Sequence, residues 1–225
     1  MTSELLPAIT IETAPNPRAS VIWMHGLGDD GNGWSQVVGS LDLPRGKAVR
    51  FIFPHAPVIP ITINNGMAMR AWYDFRQADV SARADLDGVR KSRAHVEAMI
   101  ANEVRRGVPP RRIVLAGFSQ GGAMALYAGL RHAERLAGIV ALSTYLIDGP
   151  TLVAEAAPVN RDIPIFMAHG TQDPVIQFAW AEMSRRALVE AGWNVEWHTY
   201  PMAHAAVLEE IVACGKFLAA VLGPD

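Results

Sequence analysis

Gly117-Phe118-Ser119-Gln120-Gly121 is the stretch of sequence that decides the fold of this 225-residue chain. An apolar run at 113–116 precedes it and a run of small residues at 122–126 follows it. Between a predicted strand and a predicted helix, the pattern Gly-x-Ser-x-Gly indicates a nucleophile elbow, a turn so sharp that its serine takes a strained backbone conformation. The flanking glycines let strand and helix pass closely, and the turn holds the Ser119 hydroxyl above the sheet.

The length and the composition narrow the class of protein. We expect one α/β domain over residues 1–225, and 50% hydrophobic residues suffice for a sizeable core. The net charge is −2 and no long basic run occurs, so neither nucleic acid nor an anionic membrane surface is an expected partner. The single cysteine, Cys214, excludes an intrachain disulfide and is interpreted as a packing residue. Without a signal segment or an apolar run near the roughly 18 residues that span a bilayer, the chain is predicted to be cytoplasmic.

Short apolar runs alternate with helical periodicity along the chain. The predicted strands are 21–24, 51–53, 113–116, 138–142, 165–168 and 195–200, with a weak edge strand at 8–12. The predicted helices are 82–106, 120–131, 175–191 and 205–222. This alternation predicts a single doubly wound, mostly parallel sheet with helices on both faces. The segment 56–69 has no clear period and contains Pro57, Pro60 and Gly66, so it is predicted to be a long loop.

A serine hydroxyl needs a base to take its proton, and histidine is the usual one. In folds with this elbow the chain order is serine, then acid, then histidine. The histidines after Ser119 are His132, His169, His198 and His204. His132 ends the elbow helix, and His198 lies within the last strand. His204 follows the last strand, at the carboxyl end of the sheet where such sites form, so it is the predicted base.

The same placement argument selects the acid. Asp162 precedes a strand and lies at the wrong end of the sheet, whereas Asp173 follows the strand at 165–168. Asp148, which follows the previous strand, is the second choice. Asp173 before Pro174 is also a strong helix start, so capping of the next helix is the alternative role for Asp173, and the two roles are compatible.

Acyl transfer further needs hydrogen-bond donors for the developing oxyanion. The residue after the nucleophile supplies one, the backbone N–H of Gln120. The loop His25-Gly26-Leu27-Gly28-Asp29 follows an early strand and is predicted to supply the second through the N–H of Leu27, with a plain glycine-rich turn as the alternative.

A nucleotide site is the competing interpretation of the glycines. Gly26, Gly28 and Gly31 match Gly-x-Gly-x-x-Gly after a strand, but no acidic residue closes the second strand at 51–53. Neither a Walker-type loop nor His-Glu-x-x-His occurs. The sequence therefore predicts no cofactor and no metal.

Five stretches together resemble the carboxylesterase / acyl-protein thioesterase family of α/β-hydrolases, also called phospholipase/carboxylesterases. They are Met24-His25-Gly26-Leu27-Gly28-Asp29, Arg70-Ala71-Trp72-Tyr73-Asp74, Gly117-Phe118-Ser119-Gln120-Gly121-Gly122, His169-Gly170-Thr171-Gln172-Asp173-Pro174-Val175 and Tyr200-Pro201-Met202-Ala203-His204. The resemblance implies the α/β-hydrolase fold, a triad of Ser119, Asp173 and His204, and oxyanion donors at Leu27 and Gln120.

The resemblance also implies that 56–69 borders an acyl groove lined by Ile59, Ile61 and Ile63. Trp72 would lie near the floor of that groove and Ile176 beside the acid. A loop packed on its own core is an equal alternative. One departure is Ala205, where family members often have a small polar residue.

The resulting hypothesis is a metal-free serine hydrolase of small acyl substrates, a carboxylesterase acting on short- to medium-chain esters and extending to thioesters, through an acyl-enzyme. The alternative within enzymes is a lysophospholipase or acyl-protein thioesterase for long acyl chains. The alternative from another class is a ligand-binding protein of the same fold without chemistry. A homodimer is an open choice.

Overall fold

Seven strands form one central sheet in the computed structural model, which describes residues 5–76 and 85–223. The strands are β1 (Ala8–Glu12), β2 (Ala19–Met24), β3 (Val49–Pro54), β6 (Ile113–Phe118), β7 (Gly138–Leu142), β8 (Ile165–Gly170) and β9 (Val195–Tyr200). Their order across the sheet is β1-β3-β2-β6-β7-β8-β9. Only β1, paired with β3, runs antiparallel among these described strands. The predicted doubly wound, mostly parallel sheet is confirmed.

Helices cover both faces of the sheet, so every residue of β2, β3, β7 and β8 is buried. The helices are α1 (Gly31–Ser35), α2 (Leu86–Arg105), α3 (Gln120–Arg131), α4 (Gly149–Glu155), α5 (Phe178–Glu190) and α6 (Leu208–Val221). One core contains apolar residues of α2, α3 and α5, and the other contains those of α6. None of the described helices is long and apolar enough to cross a bilayer.

The segment predicted to be a long loop, 56–69, is instead largely a β-hairpin. Strands β4 (Val58–Ile61) and β5 (Met67–Arg70) pair antiparallel, and Asn65 and Gly66 turn the chain with positive φ angles of 55° and 76°. The loop prediction was wrong because Pro60 was interpreted as a strand breaker. In a two-stranded hairpin both strands are edges, where a residue without an N–H is tolerated.

Two predicted helix starts were also wrong. Helix α5 begins at Phe178 with Gln177 as its N-cap, not at 175, because the Asp173 carboxylate caps a preceding turn through the N–H groups of Val175 and Ile176. Helix α6 begins at Leu208, not at 205. In α2 the predicted start at 82 lies outside the described residues. In each corrected case the extra chain forms a loop at the carboxyl edge of the sheet.

Candidate active site

Ser119 occupies the turn between β6 and α3 with φ 53° and ψ −121°, a conformation that a non-glycine residue adopts only under strain. Glycine is required on both sides. A Cβ at Gly117 would overlap the backbone of Gly121, and a Cβ at Gly121 would overlap the carbonyl group of Met24. The Ser119 backbone is held by its N–H, which donates to Leu142 at 2.8 Å. The turn has the geometry of a nucleophile elbow.

The three side chains selected from the sequence form one chain of hydrogen bonds. His204 Nε2 lies 2.9 Å from Ser119 Oγ, and His204 Nδ1 lies 2.7 Å from Asp173 Oδ2. An ionised carboxylate only accepts, so the proton of the neutral imidazole lies on Nδ1 and Nε2 is free to accept from the Ser119 hydroxyl. The arrangement can move the Ser119 proton to His204 while the charge of Asp173 stabilises the resulting imidazolium.

Asp173 is held as an anion although its side chain is buried. Its Oδ1 accepts the N–H groups of Val175 at 2.8 Å and Ile176 at 2.9 Å, while Oδ2 accepts from His204. Burial alone would raise the pKa of Asp173. The hydrogen bonds from His204 and the two backbone N–H groups outweigh it, and the pKa is lowered.

The loops that carry the acid and the histidine are joined directly because β8 and β9 are neighbours. The N–H of Thr171 donates to Tyr200 at 2.8 Å, and that of Gln172 donates to Met202 at 3.1 Å. Gly170 leaves room for this contact, since a Cβ there would overlap the carbonyl group of Met202. At the position after His204, the Ala205 backbone N–H donates to the carbonyl oxygen of Ala203 at 2.9 Å.

The predicted oxyanion donors lie beside the serine. A Cβ built on Gly26 would be 3.4 Å from Ser119 Cβ, so the loop after β2 packs against the elbow. Within residues 5–76 and 85–223, no acceptor takes the N–H of Leu27. Gln120 is the first residue of α3, where backbone N–H groups have no intrahelical acceptor. Both donors are therefore available to a bound carbonyl oxygen.

A mainly apolar cavity of about 240 Å³ opens at the serine. Its lining consists of Gly26, Leu27, Asp29, Phe75, Phe118, Ser119, Gln120, Tyr145, Val175, Ile176 and His204. Ile176 was predicted beside the acid, but Phe75, Tyr145 and Val175 were missed. Tyr145 follows β7 at the carboxyl edge of the sheet, so the strand-end rule that selected Asp173 could have found it.

Trp72 and the isoleucines of the β4–β5 hairpin lie outside the described lining of this cavity. The Trp72 indole is buried against the loop that follows β2, where its Nε1–H donates to the carbonyl oxygen of His25 at 2.9 Å. Ile61 is buried, and neither it nor Ile59 or Ile63 belongs to the described lining of the cavity. The groove along 56–69 therefore stays a prediction, and the described cavity is lined instead by residues that include Phe75 and Tyr145.

The residues weighed against the triad have other partners. Asp148 accepts from the Thr151 hydroxyl at 2.6 Å at the start of α4. His132 Nδ1 lies 2.6 Å from a carboxylate oxygen of Glu97. His198 contacts Glu196 on its own edge strand at 2.8 Å.

His169 is a residue near the site that sequence reasoning did not select. Its Nε2 lies 2.8 Å from the carbonyl oxygen of Ile176 and 3.5 Å from Asp173 Oδ2. Burial lowers the pKa of His169, so the ring is neutral and donates to the turn that holds the acid. Its place at the carboxyl end of β8 was the available signal. Across the described parts of the chain, no group of three or more His, Cys, Asp or Glu side chains is arranged to hold a metal ion.

Comparisons with known proteins agree with this geometry. Residues 7–222 match the sequence profile of the family described as Phospholipase/Carboxylesterase. A relative named acyl-protein thioesterase 1 from Neurospora crassa is 46% identical over 95% of this chain and 89% of its own. Another of that name, from Gibberella zeae, is 39% identical over 100% of this chain and 99% of its own.

Solved structures show the same fold. Arabidopsis thaliana SOBER1 superposes with a TM-score of 0.86 at 28% identity and covers 92% of this chain and 100% of its own. Zea mays acyl-protein thioesterase 2 superposes with a TM-score of 0.84 at 30% identity and covers 97% of this chain and 100% of its own. The chain thus belongs to the phospholipase/carboxylesterase family of α/β-hydrolases and is a hydrolase of the esterase and thioesterase type.

Proposed function

We propose that the chain is a carboxylesterase that cleaves acyl esters and thioesters through a covalent intermediate on Ser119. The observation that supports this most strongly is the unbroken chain of hydrogen bonds from Ser119 through His204 to Asp173. Each member of that chain is a side chain whose chemistry suits its place: a nucleophile, a base and an orienting anion.

The proposed reaction has two steps. In the first, Ser119 Oγ bonds to the substrate carbonyl carbon as His204 Nε2 takes its proton, and the N–H groups of Leu27 and Gln120 receive the negative oxygen. The bond to the leaving oxygen or sulfur then breaks, and His204 protonates that group. In the second step, water attacks the acyl-enzyme with His204 again as base, releasing the carboxylic acid and free Ser119.

The size of the cavity favours a short- to medium-chain acyl group. Its volume of about 240 Å³ lies below the range of roughly 300 Å³ and more that is usual for drug-sized ligands. The second candidate is a long-chain acyl-protein thioesterase, which the names of the two fungal relatives favour. Phe75 and Tyr145 are the bulky aromatic side chains, beside Phe118, in the lining that an acyl chain would contact.

Turnover of p-nitrophenyl esters from acetyl to palmitoyl, compared with S-acyl peptides of the same lengths, tests the proposal. We expect the short and medium esters to give the highest kcat/KM, whereas a maximum at palmitoyl thioesters would select the second candidate. Ser119→Ala should abolish turnover and labelling by a fluorophosphonate. Full activity in that variant, or labelling at another residue, would exclude Ser119 as the nucleophile.

Location and assembly complete the proposal. A cytoplasmic location fits the single cysteine, Cys214, which is buried and unpaired, because reducing compartments keep thiols free. The homodimer stays a prediction, which sedimentation of the purified protein measures directly.

A further inference from the structure

We infer that His25 is a positioning residue for the oxyanion donor: its imidazole fixes the Gly26–Leu27 peptide so that the Leu27 N–H faces the substrate carbonyl. This inference rests on the function proposed above and extends it to a residue outside the cavity lining. His25 is fully buried, so it acts through Leu27 and not by touching the substrate.

The argument starts from the geometry of one peptide unit. The carbonyl group of Gly26 and the N–H of Leu27 belong to the same planar trans peptide, so they point in opposite directions. His25 Nδ1 lies 2.7 Å from the Gly26 oxygen. A carbonyl oxygen can only accept, so Nδ1 donates, and holding the oxygen on the His25 side directs the Leu27 N–H the other way.

The second ring nitrogen anchors the imidazole. The N–H of Ala56 donates to His25 Nε2 at 3.0 Å, which requires that Nε2 carry no proton. The two contacts therefore demand the neutral tautomer with its proton on Nδ1. Burial, the largest influence, lowers the pKa of His25 and keeps the ring neutral. Because Ala56 follows β3, the ring is fixed to a neighbouring strand of the sheet.

The peptides on either side are fixed as well. The carbonyl oxygen of His25 accepts the Trp72 indole N–H at 2.9 Å, and the Gly28 N–H donates to Arg70 at 2.8 Å. The backbone N–H of Trp72 in turn donates to the side-chain oxygen of Gln120 at 2.8 Å. These hydrogen bonds connect the loop of Leu27 to Gln120, the two predicted oxyanion donors, through the segment 70–72. In this loop the Gly28 and Asp29 N–H groups donate to Arg70 and Gly26, whereas the Leu27 N–H has no acceptor among the described residues.

Two substitutions separate the contacts of His25. In His25→Asn the amide nitrogen occupies the place of Nδ1 and can donate to Gly26, while the bond from Ala56 is lost. In His25→Gln the amide oxygen can accept from Ala56 at the place of Nε2, while the donor to Gly26 is lost. We expect Asn to keep kcat for a p-nitrophenyl ester within about tenfold of wild type. We expect Gln to lower it about 100-fold at an unchanged KM, since loss of one oxyanion donor costs roughly 10²–10³ in kcat.

A merely structural role for His25 predicts the opposite order, because the tether to Ala56 would then matter more. A kcat for Gln equal to or above that of Asn would overturn the inference. His25→Leu, which fills space and forms neither bond, should behave like Gln. His198→Leu, on the half-exposed edge strand β9, is the matched control and should leave kcat unchanged.

A measurement on the wild-type protein covers the case in which the variants do not fold. With ¹⁵N-labelled histidine, NMR at pH 7 should show His25 as the neutral Nδ1–H tautomer. The Nε2–H tautomer, or a charged ring at pH 7, would overturn the inference. Failure here is distinct from failure of the proposed function. A wild-type protein without esterase activity and without labelling at Ser119 would refute that function, whereas an active wild type with an equally active His25→Gln would refute only the role of His25.

Discussion

Two buried carboxyl groups in this molecule, Asp173 and Glu210, are in opposite states. Asp173, at the carboxyl edge of the sheet, has three donors on its two oxygens, and its pKa is lowered. Glu210, in the first turn of α6, is fully buried, and neither of its oxygens has a hydrogen-bond partner among the described residues. Burial raises the pKa of Glu210 to about 8, and the nearby Val207 N–H, which does not reach hydrogen-bond geometry, offsets this only in part.

The difference shows what a folded chain must supply to keep a buried carboxylate charged. Removal from water costs both groups the hydration of the anion, and only donors in place can replace it. At Asp173 a turn and an imidazole supply them. At Glu210 the N-terminal end of a helix favours an anion, yet burial prevails. The first group is therefore an anion beside His204, as the proposed mechanism requires, and the second is a neutral side chain at neutral pH.

Replacing the charged member of this pair, in Asp173→Asn, should have the largest effect, a loss of kcat. An amide can donate its N–H to His204 Nδ1, which would favour the tautomer with its proton on Nε2 and leave no acceptor for the Ser119 hydroxyl. We expect kcat for a p-nitrophenyl ester to fall about 10⁴-fold, the cost known for this tautomer error in a serine hydrolase triad. Steady-state kinetics at pH 7.5 measure it.

Glu210→Gln is the matched control for that variant, because it also replaces a buried carboxyl group by its amide. We expect its kcat to stay within about twofold of wild type, since Glu210 contacts none of the three side chains. A loss of less than tenfold for Asp173→Asn, or equal losses for both, would contradict the assignment of the acid.

The second largest effect is expected from Glu210, on the pH dependence of the free energy of unfolding. The pKa of Glu210 is about 8 in the folded chain against a reference of 4.5, so between these values the unfolded chain ionises first. The protonated Glu210 side chain therefore makes its full contribution to the free energy of unfolding below pH 4.5. That contribution is lost as the pH rises to 8, at about 1.4 kcal/mol per pH unit. In denaturant unfolding, the free energy of unfolding of Glu210→Gln should therefore rise relative to that of wild type between pH 4.5 and pH 8. A constant difference from pH 5 to pH 8 would mean that Glu210 is already ionised in the native protein.

Sequence reasoning succeeded where a side chain follows from its position in the order of strands. The side chains of the proposed triad follow the carboxyl ends of β6, β8 and β9, and the structure brings them within hydrogen-bond distance. The fold follows from the same alternation of apolar runs.

Sequence reasoning failed where a contact depends on the exact geometry of a turn or loop. The hairpin at β4 and β5 was missed because its strands are short and include Pro60. The bond from His25 to the peptide beside it has no signature in the sequence, because it depends on a ring orientation set by Ala56, thirty-one residues away. Phe75 reaches the cavity through a loop whose path no periodicity describes, whereas Tyr145, just past the carboxyl end of β7, was within reach of the strand-end rule.

The smallest effect is expected at Cys214, one turn after Glu210 in α6. Its thiol is buried, and burial together with the neighbouring Glu210 raises its pKa well above the usual value, so it stays neutral throughout pH 5–8. Cys214→Ala should therefore lower the free energy of unfolding by about 1 kcal/mol, the cost of removing a small packed group, and by the same amount at every pH in that range. Unfolding curves at pH 5, 6.5 and 8 measure it. A difference that grows with pH would mean that the thiol ionises more readily in the native protein than in the unfolded chain, which contradicts the raised pKa expected from its burial beside Glu210.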